Sequence, residues 1–170
     1  MTTRRELVRG LSRIAGDANV LWRPEDLLVY EFDGTIERSA PYAVVFPGTT
    51  EEVAEVVRLC NRLGLAITPR GAGTGLSGGS VPARRGVVIA TARMRRILEI
   101  DPVNRIAVVE PGLPNIQLSE AAAVHGLFYA PDPSSQKACT IGGNVAENAG
   151  GPHCLALGVT TNHVLGLEVV

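Results

Sequence analysis

Several residue classes are scarce in this 170-residue chain, and each scarcity excludes a class of protein. Only 4% of the residues are aromatic, which is too few for a surface that stacks nucleic-acid bases. The formal net charge of −1 gives no electrostatic basis for nucleic-acid binding. No apolar run approaches the roughly 20 residues that a membrane-spanning helix needs, and Arg9 and Arg13 interrupt the segment where a secretory signal would be apolar.

Cysteine and clustered metal ligands are scarce as well. The three cysteines, Cys60, Cys139 and Cys154, form no close pair, which is typical of a protein from the reducing cytoplasm. The spacing of His153 and His163 matches no metal motif, so we expect no metal site. Asp132 and Glu147 could act as acids or bases, but no spacing pairs them, and we name no catalytic residue.

Hydrophobic residues make up 45% of the chain, enough for a sizeable core. Their spacing predicts a helix that starts near Arg4 and stops at Gly16. A second helix is expected over residues 48–64, with Thr49 and Glu52 as a capping box and Gly64 at its C-terminal cap. Short β-rich runs flank this helix on both sides, so residues 42–69 are interpreted as a βαβ unit.

The second half of the chain alternates short apolar runs with loops. The pattern predicts a strand at 86–91, a hairpin of 97–101 with 105–110, a helix at 115–126 and a strand-like run at 163–170. Residues 129–151 read as loop. We therefore expect an α+β fold, in which a small parallel βαβ layer is followed by a mixed or antiparallel sheet.

The stretch PRGAGTGLSGGSVP, residues 69–82, is too rich in glycine and proline for a packed helix or strand. Residues 73–78 match G-x-G-x-x-G, but a dinucleotide-binding Rossmann fold needs a helix directly after the last glycine. Here more loop and then a strand follow, which disfavours an NAD-type fold. A Walker A loop is disfavoured because no lysine follows the glycines.

The chemistry of such a loop still suits an anion. Glycines permit positive φ and remove Cβ atoms, so that successive N–H groups can converge on a phosphate. Hydroxyl donors from Thr74, Ser77 and Ser80 would add to them. The residues leave two interpretations open, which are a pyrophosphate site without metal or lysine and a tight loop without a ligand.

A second tract, SSQKACTIGGNVAENAGG at 134–151, has the same character of small residues and side-chain donors. Two such tracts can face each other across one elongated ligand. A dinucleotide, with a polar centre and two ring systems, has that shape.

These motifs, in the order PRGAGTGLSGGSVP, EPG, PDPSS…CTIGGNVAENAGG and HVLGLEVV, resemble the FAD-linked oxidases. Their FAD domain is of the vanillyl-alcohol-oxidase and p-cresol-methylhydroxylase (PCMH) type. Within that family the chain is most similar to the glycolate oxidase FAD subunit and to D-lactate and D-2-hydroxyglutarate dehydrogenases. A weaker likeness extends to YEFDGT at 30–35. The resemblance implies oxidation of a 2-hydroxy acid, of the glycolate or D-lactate type, by hydride transfer to FAD.

The resemblance also implies which residues contact FAD. The first tract would wrap the pyrophosphate through Pro69, Arg70, Gly71, Ala72, Gly73, Thr74, Gly75, Gly78, Gly79 and Ser80. The second would lie along the cofactor through Ser134, Ser135, Cys139, Thr140, Gly143, Asn144, Asn148 and Gly150. Some relatives bind FAD covalently through a histidine at the position of Ser80, so non-covalent FAD is implied here.

Domain organisation follows from the same resemblance. Residues 1–40 would be a helical lead-in, and 41–170 would be a PCMH-type FAD-binding domain that is incomplete at its C-terminus. We expect the chain to be the N-terminal part of a longer enzyme, with the substrate or cap domain and the catalytic residues beyond residue 170. The alternative is a non-catalytic FAD-binding or electron-transfer subunit completed by a partner chain. Partner subunits could also bring a cytoplasmic protein to a membrane.

Overall fold

A computed structural model of the protein describes residues 4–82 and 86–170. The chain forms two compact units, one running to Arg93 and the other from Met94 to Val169. Within the described residues, no helix is both long and apolar enough to cross a membrane.

The first unit contains a four-stranded sheet and three helices. Its elements are α1 Arg4–Ala15, β1 Val20–Leu21, α2 Pro24–Leu27, β2 Ala43–Val45, α3 Thr50–Leu63, β3 Ile67–Arg70 and β4 Val87–Ala90. The strand order is β1-β2-β4-β3. Strand β1 is antiparallel to β2, and the other pairs are parallel. The sheet is therefore mixed.

The expected βαβ unit is confirmed, with one addition. Strands β2 and β3 are parallel and connected by α3, but β4 lies between them in the sheet. Val88 of β4 faces Val44 on one side and Thr68 on the other. The glycine-rich tract connects β3 to β4, so it starts at the carboxyl end of a parallel strand.

Both faces of the central strands are covered, as parallel strands require. On one face Val45 and Ile89 pack with α1 and α3, and on the other Val44 and Val88 pack with Leu27. Helices α1 and α3 approach closely because Gly10 has no side chain. A Cβ there would lie 2.7 Å from Cδ2 of Leu59.

The predicted ends of α3 are confirmed in outline. The Thr49 side chain accepts a hydrogen bond from the Glu52 N–H, and Gly64 ends the helix with φ +64°. The reciprocal half of the capping box is displaced by one residue, because the Glu52 carboxylate accepts from the Gly48 N–H at 2.7 Å.

The second unit consists of a hairpin and short helices. Its elements are β5 Ile97–Asp101, β6 Ile106–Val109, α4 Asn115–Ala123, α5 Ile141–Glu147 and α6 Cys154–Leu157. The two strands are antiparallel, as predicted. The Asp101 carboxylate organises the turn by accepting hydrogen bonds from the N–H groups of Val103 and Asn104. The predicted α+β class is thus confirmed.

Three predictions for the second unit differ from the structure: a loop, the end of a helix and a strand. Residues 129–151, interpreted as loop, contain α5, because the glycines at 142 and 143 did not prevent a capped helical turn. Helix α4 ends at Ala123 rather than at 126. The strand expected at 163–170 is wrong, since Thr160–His163 is a 3-10 turn and 164–170 has no regular structure. Strands need a hydrogen-bonded neighbour, and no described segment pairs with these residues.

Candidate functional site

The first tract leaves β3 at Arg70 and forms an irregular loop. Gly73 and Gly78 have φ values of +71° and +79°, which side-chain-bearing residues rarely adopt. A turn closes where the Val81 N–H donates to the Gly78 carbonyl at 3.1 Å. Glycine avoids backbone strain at both positions, and at Gly73 it also leaves room for the Arg70 side chain.

The loop offers open backbone and an unpartnered hydroxyl. A Cβ placed on Gly75 or Gly78 would meet nothing within 4 Å, so a ligand can approach the main chain there. The Ser80 Oγ is buried and has no hydrogen-bond partner. A buried polar atom without a partner costs folding free energy unless a ligand or water satisfies it. These features fit a phosphate-bearing group.

The Arg70 side chain is buried, and its N–H groups donate to carbonyl oxygens of the protein. The side chain is 7% exposed. Nη1 donates to the carbonyl oxygens of Phe32 at 2.8 Å and Ser80 at 3.4 Å, and Nη2 donates to that of Val29 at 3.4 Å. The guanidinium lies 5.5 Å from the centre of the Tyr30 ring. Burial lowers the pKa of Arg70, against the opposing influence of Tyr30 and Asp33.

A neighbouring segment, residues 29–35, packs against this loop, although no site residue was predicted in it. The Gly34 N–H donates to the Gly75 carbonyl at 2.9 Å. Asp33 is 7% exposed, and its Oδ1 accepts from the N–H and hydroxyl of Thr35 at 2.8 and 2.7 Å, whereas its Oδ2 is buried without a partner. Burial raises the pKa of Asp33, but the Thr35 bonds and the Arg70 charge outweigh it and lower the pKa. The weak family likeness of YEFDGT was the signal that could have found it.

The second tract uses many of its polar groups internally. Thr140 caps α5 by accepting from the Gly143 N–H at 3.2 Å. Asn144 is 2% exposed and donates to Oδ1 of the fully buried Asn115 at 2.7 Å. Asn115 in turn donates to the Pro131 carbonyl at 3.2 Å. This chain of bonds ties α5 to α4 and to the loop that carries Ser134.

The other predicted contacts of the second tract also have structural roles. Asn148 ends α5 with φ +50°, and its Oδ1 accepts from the Thr161 N–H at 3.0 Å. A Cβ on Gly150 would lie 3.2 Å from Cγ1 of Val159, and Cys139 is buried. Ser134 is exposed and Ser135 half-buried. Ser134 and Asn148 are therefore the exposed side chains of the predicted set in this tract, and the Asn148 Oδ1 is already bonded to Thr161.

An acid–histidine pair that sequence spacing did not indicate stabilises the same loop. Asp132 Oδ2 lies 2.5 Å from His153 Nδ1. The hydrogen bond with His153 lowers the pKa of Asp132. Gly151 is required beside them, because a Cβ there would overlap the Asp132 carbonyl and carboxylate oxygens. The pair lines a cavity of about 320 Å³ together with Phe128 and Tyr129.

The structure also bears on the Rossmann fingerprint at residues 73–78 and on metal ligands. The helix that a Rossmann fingerprint needs after Gly78 is not found in residues 79–82, which form a turn and then irregular chain. No group of three or more histidines, cysteines or acids that could hold a metal ion is found among residues 4–82 and 86–170. The Cys60 thiol is buried, which raises its pKa to about 11 and disfavours a reactive thiolate.

Comparison with known proteins gives consistent matches. The chain is 50% identical to the glycolate oxidase subunit GlcD of Escherichia coli K12 over 151 residues, which is 88% of the chain and 30% of that protein. It is 42% identical to the D-lactate dehydrogenase of Archaeoglobus fulgidus, with 83% and 32% covered. The crystal structure of p-cresol methylhydroxylase with substrate bound superposes with a TM-score of 0.74 at 28% identity, with 85% and 29% covered.

The chain thus spans about a third of the length of the curated relatives it matches. A family model described as FAD binding domain matches residues 41–170. This range contains both glycine-rich tracts and begins two residues before β2. The resemblance to PCMH-type flavoproteins is confirmed, and the chain belongs to the family of the FAD binding domain.

Proposed function

We propose that the chain is the FAD-binding portion of a flavin-dependent oxidoreductase that oxidises a 2-hydroxy acid of the glycolate or D-lactate type. The observation that carries the proposal is the glycine loop after β3, with its open backbone at Gly75 and Gly78 and its unpartnered Ser80 hydroxyl. The names of the two relatives, a glycolate oxidase subunit and a D-lactate dehydrogenase, support the substrate class.

In this proposal the first tract binds the pyrophosphate of FAD. The main-chain N–H groups near Gly75 and Gly78 donate to the phosphate oxygens, and Ser80 Oγ gains the partner that it lacks. Arg70 acts behind the loop, because its donors bond to protein carbonyls.

The second tract would contribute chiefly through Ser134 and through close approach of the cofactor at Gly143 and Gly150, with the Gly143 N–H remaining bonded to Thr140. Its buried members, Cys139 and Asn144, would then support the shape of the cofactor site rather than bond to the cofactor. Thr140 and Asn148 would hold the two ends of α5 in place.

We further propose that the FAD is bound without a covalent link, since Ser80 stands where covalent relatives carry histidine and a hydroxyl is not the imidazole that this linkage uses. Bound FAD would supply the two-electron acceptor for oxidation of the substrate's hydroxyl carbon. The protein's residues orient the cofactor and exclude water around it. The base that takes the hydroxyl proton would come from residues beyond 170.

The proposal extends to domain layout, partners and compartment. Residues 41–170 would be the FAD-binding domain, preceded by a helical lead-in and completed by a substrate domain. The relative's designation as a subunit supports partner chains that accept electrons. Cys60, Cys139 and Cys154 are free thiols, which supports a cytoplasmic location.

The deciding experiment is a visible spectrum of the protein purified from its own host, followed by anaerobic addition of single 2-hydroxy acids. We expect flavin bands, release of the flavin into the supernatant on acid precipitation, and bleaching by glycolate or D-lactate. A protein that neither carries nor takes up FAD would contradict the proposal. Flavin that stays with the precipitate would contradict the non-covalent assignment alone.

A non-catalytic subunit predicts a different outcome of the same experiment. Flavin bands that no 2-hydroxy acid bleaches, but that an electron donor protein reduces, would favour an electron-transfer role over hydroxy-acid oxidation.

A further inference from the structure

We infer that the segment Val29–Thr35, which precedes the matched range 41–170, is part of the phosphate-binding machinery, with Arg70 and Asp33 as positioning residues. The inference rests on the proposed function, because it concerns the same cofactor site. In it, this segment is the rear wall of the glycine loop and holds the loop ready to bind before the ligand arrives.

The Arg70 side chain joins the wall to both ends of the loop. Its backbone ends β3 where the loop begins, and one of its N–H groups reaches the carbonyl of Ser80 near the loop's other end. The remaining bonds go to the wall, at the carbonyls of Phe32 and Val29. One buried guanidinium therefore bonds to three carbonyl groups in two separate stretches of main chain, which a lysine ammonium has no planar fork to match.

The loop is shaped around that guanidinium. A side chain on Gly73 would overlap the Arg70 Nη2 and Cζ atoms, and the positive φ of Gly73 turns the chain over them. Part of the glycine content of the loop is thus explained by its close approach to Arg70 rather than to a ligand.

The wall also contacts the middle of the loop through main chain. The Gly34 N–H donates to the Gly75 carbonyl at 2.9 Å. A Cβ on Gly34 would lie 2.7 Å from that carbonyl oxygen and 2.8 Å from Cδ2 of Leu76. A single methyl group on Gly34 would therefore push the loop out of position.

Asp33 organises the Val29–Thr35 segment, because its Oδ1 accepts hydrogen bonds from the N–H and the hydroxyl of Thr35. Its unpartnered Oδ2 has no donor in direct contact, but the carboxylate and the Arg70 guanidinium stabilise each other electrostatically. A buried guanidinium without a counter-charge would be costly. Wall and loop consequently order together, and a chain with a disrupted wall spends less time with the loop in its binding conformation.

This arrangement makes a kinetic prediction. Loss of a positioning residue lowers the fraction of molecules that can bind, so the apparent affinity falls through the association rate. Loss of a direct ligand contact instead raises the dissociation rate, as most interface mutations do. Rate measurements therefore distinguish a positioning role of Arg70 from direct contact with the ligand.

The experiment is stopped-flow quenching of FAD fluorescence with the apoprotein of the complete enzyme. Arg70→Lys is paired with Arg58→Lys, an exposed arginine on α3, and Gly34→Ala with Gly166→Ala, where a Cβ meets nothing within 4 Å. We expect about a tenfold or larger fall in association rate for Arg70→Lys and Gly34→Ala, with dissociation rates unchanged. Both controls should match the parent.

Three outcomes would overturn the inference or its basis. A raised dissociation rate in Arg70→Lys with an unchanged association rate would make Arg70 a direct contact. Parent-like kinetics in Gly34→Ala would show that the wall does not position the loop. A parent protein that binds no FAD would remove the proposed function itself, whatever the variants do.

Folding is monitored by thermal unfolding of each apoprotein. Should Arg70→Lys fail to fold, Gly34→Ala and Asp33→Asn decide the question. Asp33→Asn is paired with Glu37→Gln, an exposed acid two residues beyond the segment. The same criteria on association and dissociation rates apply to them.

Discussion

The two glycine-rich tracts share a composition but use their polar groups in different ways. In the first tract, residues 69–82, Ser80 Oγ is buried without a partner and the main chain at Gly75 is open. In the second, residues 134–151, Asn144 donates to Asn115 and Thr140 caps α5. The first tract thus has a polar atom without a protein partner and accessible main chain, whereas many polar groups of the second are paired within the protein.

A donor-rich composition therefore has two physical explanations. A donor can face a ligand, or it can satisfy a buried group that folding would otherwise leave without a partner. Sequence alone does not separate them, because both need small residues and side-chain amides or hydroxyls close together. The comparison therefore predicts that substitutions in the first tract change ligand binding and that substitutions at buried positions of the second change stability.

Gly75→Glu should have the largest effect on binding. Space for the side chain exists in the structure, so the fold should persist, but the added carboxylate would occupy the proposed pyrophosphate position. We expect FAD affinity to fall by at least about a hundredfold, which corresponds to about 2.7 kcal/mol. The measurement is FAD fluorescence titration, with unfolding temperature recorded on the same apoprotein.

Gly166→Glu is the matched control for Gly75→Glu, since it adds the same charge at another glycine with open surroundings. It should bind FAD like the parent. Undiminished FAD binding by Gly75→Glu would show that the first tract does not bind the pyrophosphate. The proposed difference in role between the two tracts would then be wrong.

Asn144→Ala tests the opposite side of the comparison. It leaves the buried Oδ1 of Asn115 without its donor, which should destabilise the protein by about 2 kcal/mol. Urea unfolding measures this loss. Ser134→Ala, at an exposed position of the same tract, should leave stability nearly unchanged. Equal stabilities for the two variants would mean that the second tract is not held by its buried amides.

Ser80→Ala separates binding from stability within one residue. Removing a buried hydroxyl that has no partner should leave the apoprotein as stable as the parent or slightly more stable. FAD affinity should fall by about fivefold, or about 1 kcal/mol, if the hydroxyl bonds to the cofactor. Thermal unfolding with and without FAD measures both effects. A drop in apoprotein stability would show that the hydroxyl already has a partner.

Much of the fold could be predicted from the sequence because its signals are local. Helix α3 has an amphipathic pattern with Thr49 and Gly64 at its ends, and the β5–β6 hairpin has a compact turn. The place of β4 between β2 and β3 could not be predicted, because strand order depends on which apolar runs pack together over a distance. Helix α5 was missed because Gly142 and Gly143 argue against helix, while the Thr140 cap argues for it.

The candidate site was predictable only in part for a similar reason. The glycine pattern permits positive φ in the loop but does not indicate that Gly73 and Gly78 adopt it, and the family resemblance singled out the loop as a candidate site. The direction of the Arg70 side chain depends on carbonyl groups about 40 residues earlier in the chain, which no spacing rule reveals. The same is true of the pairing of Asp132 with His153 across 21 residues.

Substitution of Glu110 should have the smallest effect on stability. It tests whether the second unit, Met94–Val169, is held together by its own hydrogen bonds. The buried Glu110 carboxylate accepts from Nε and Nη2 of Arg96 at 2.9 and 2.7 Å and from the Arg96 N–H at 2.6 Å. Hydrogen bonding from the Arg96 side chain lowers the pKa of Glu110, against the effect of burial. The next residue, Pro111, accepts from the Gly142 N–H at 2.8 Å and so links the hairpin to α5.

Because the pKa of Glu110 is lowered in the folded chain, its stabilisation is complete above the ordinary value of 4.5 and is lost as the pH falls through the folded value. Glu110→Gln should therefore cost about 0.5 to 1 kcal/mol at pH 7, with Arg96 largely exposed and screened. The difference from the parent should shrink in urea unfolding below about pH 4.5. Glu99→Gln, an exposed acid on the same hairpin, should show no such pH-dependent difference. A constant difference across the acid range would mean that packing at Glu110, rather than its charge, supports the link to α5.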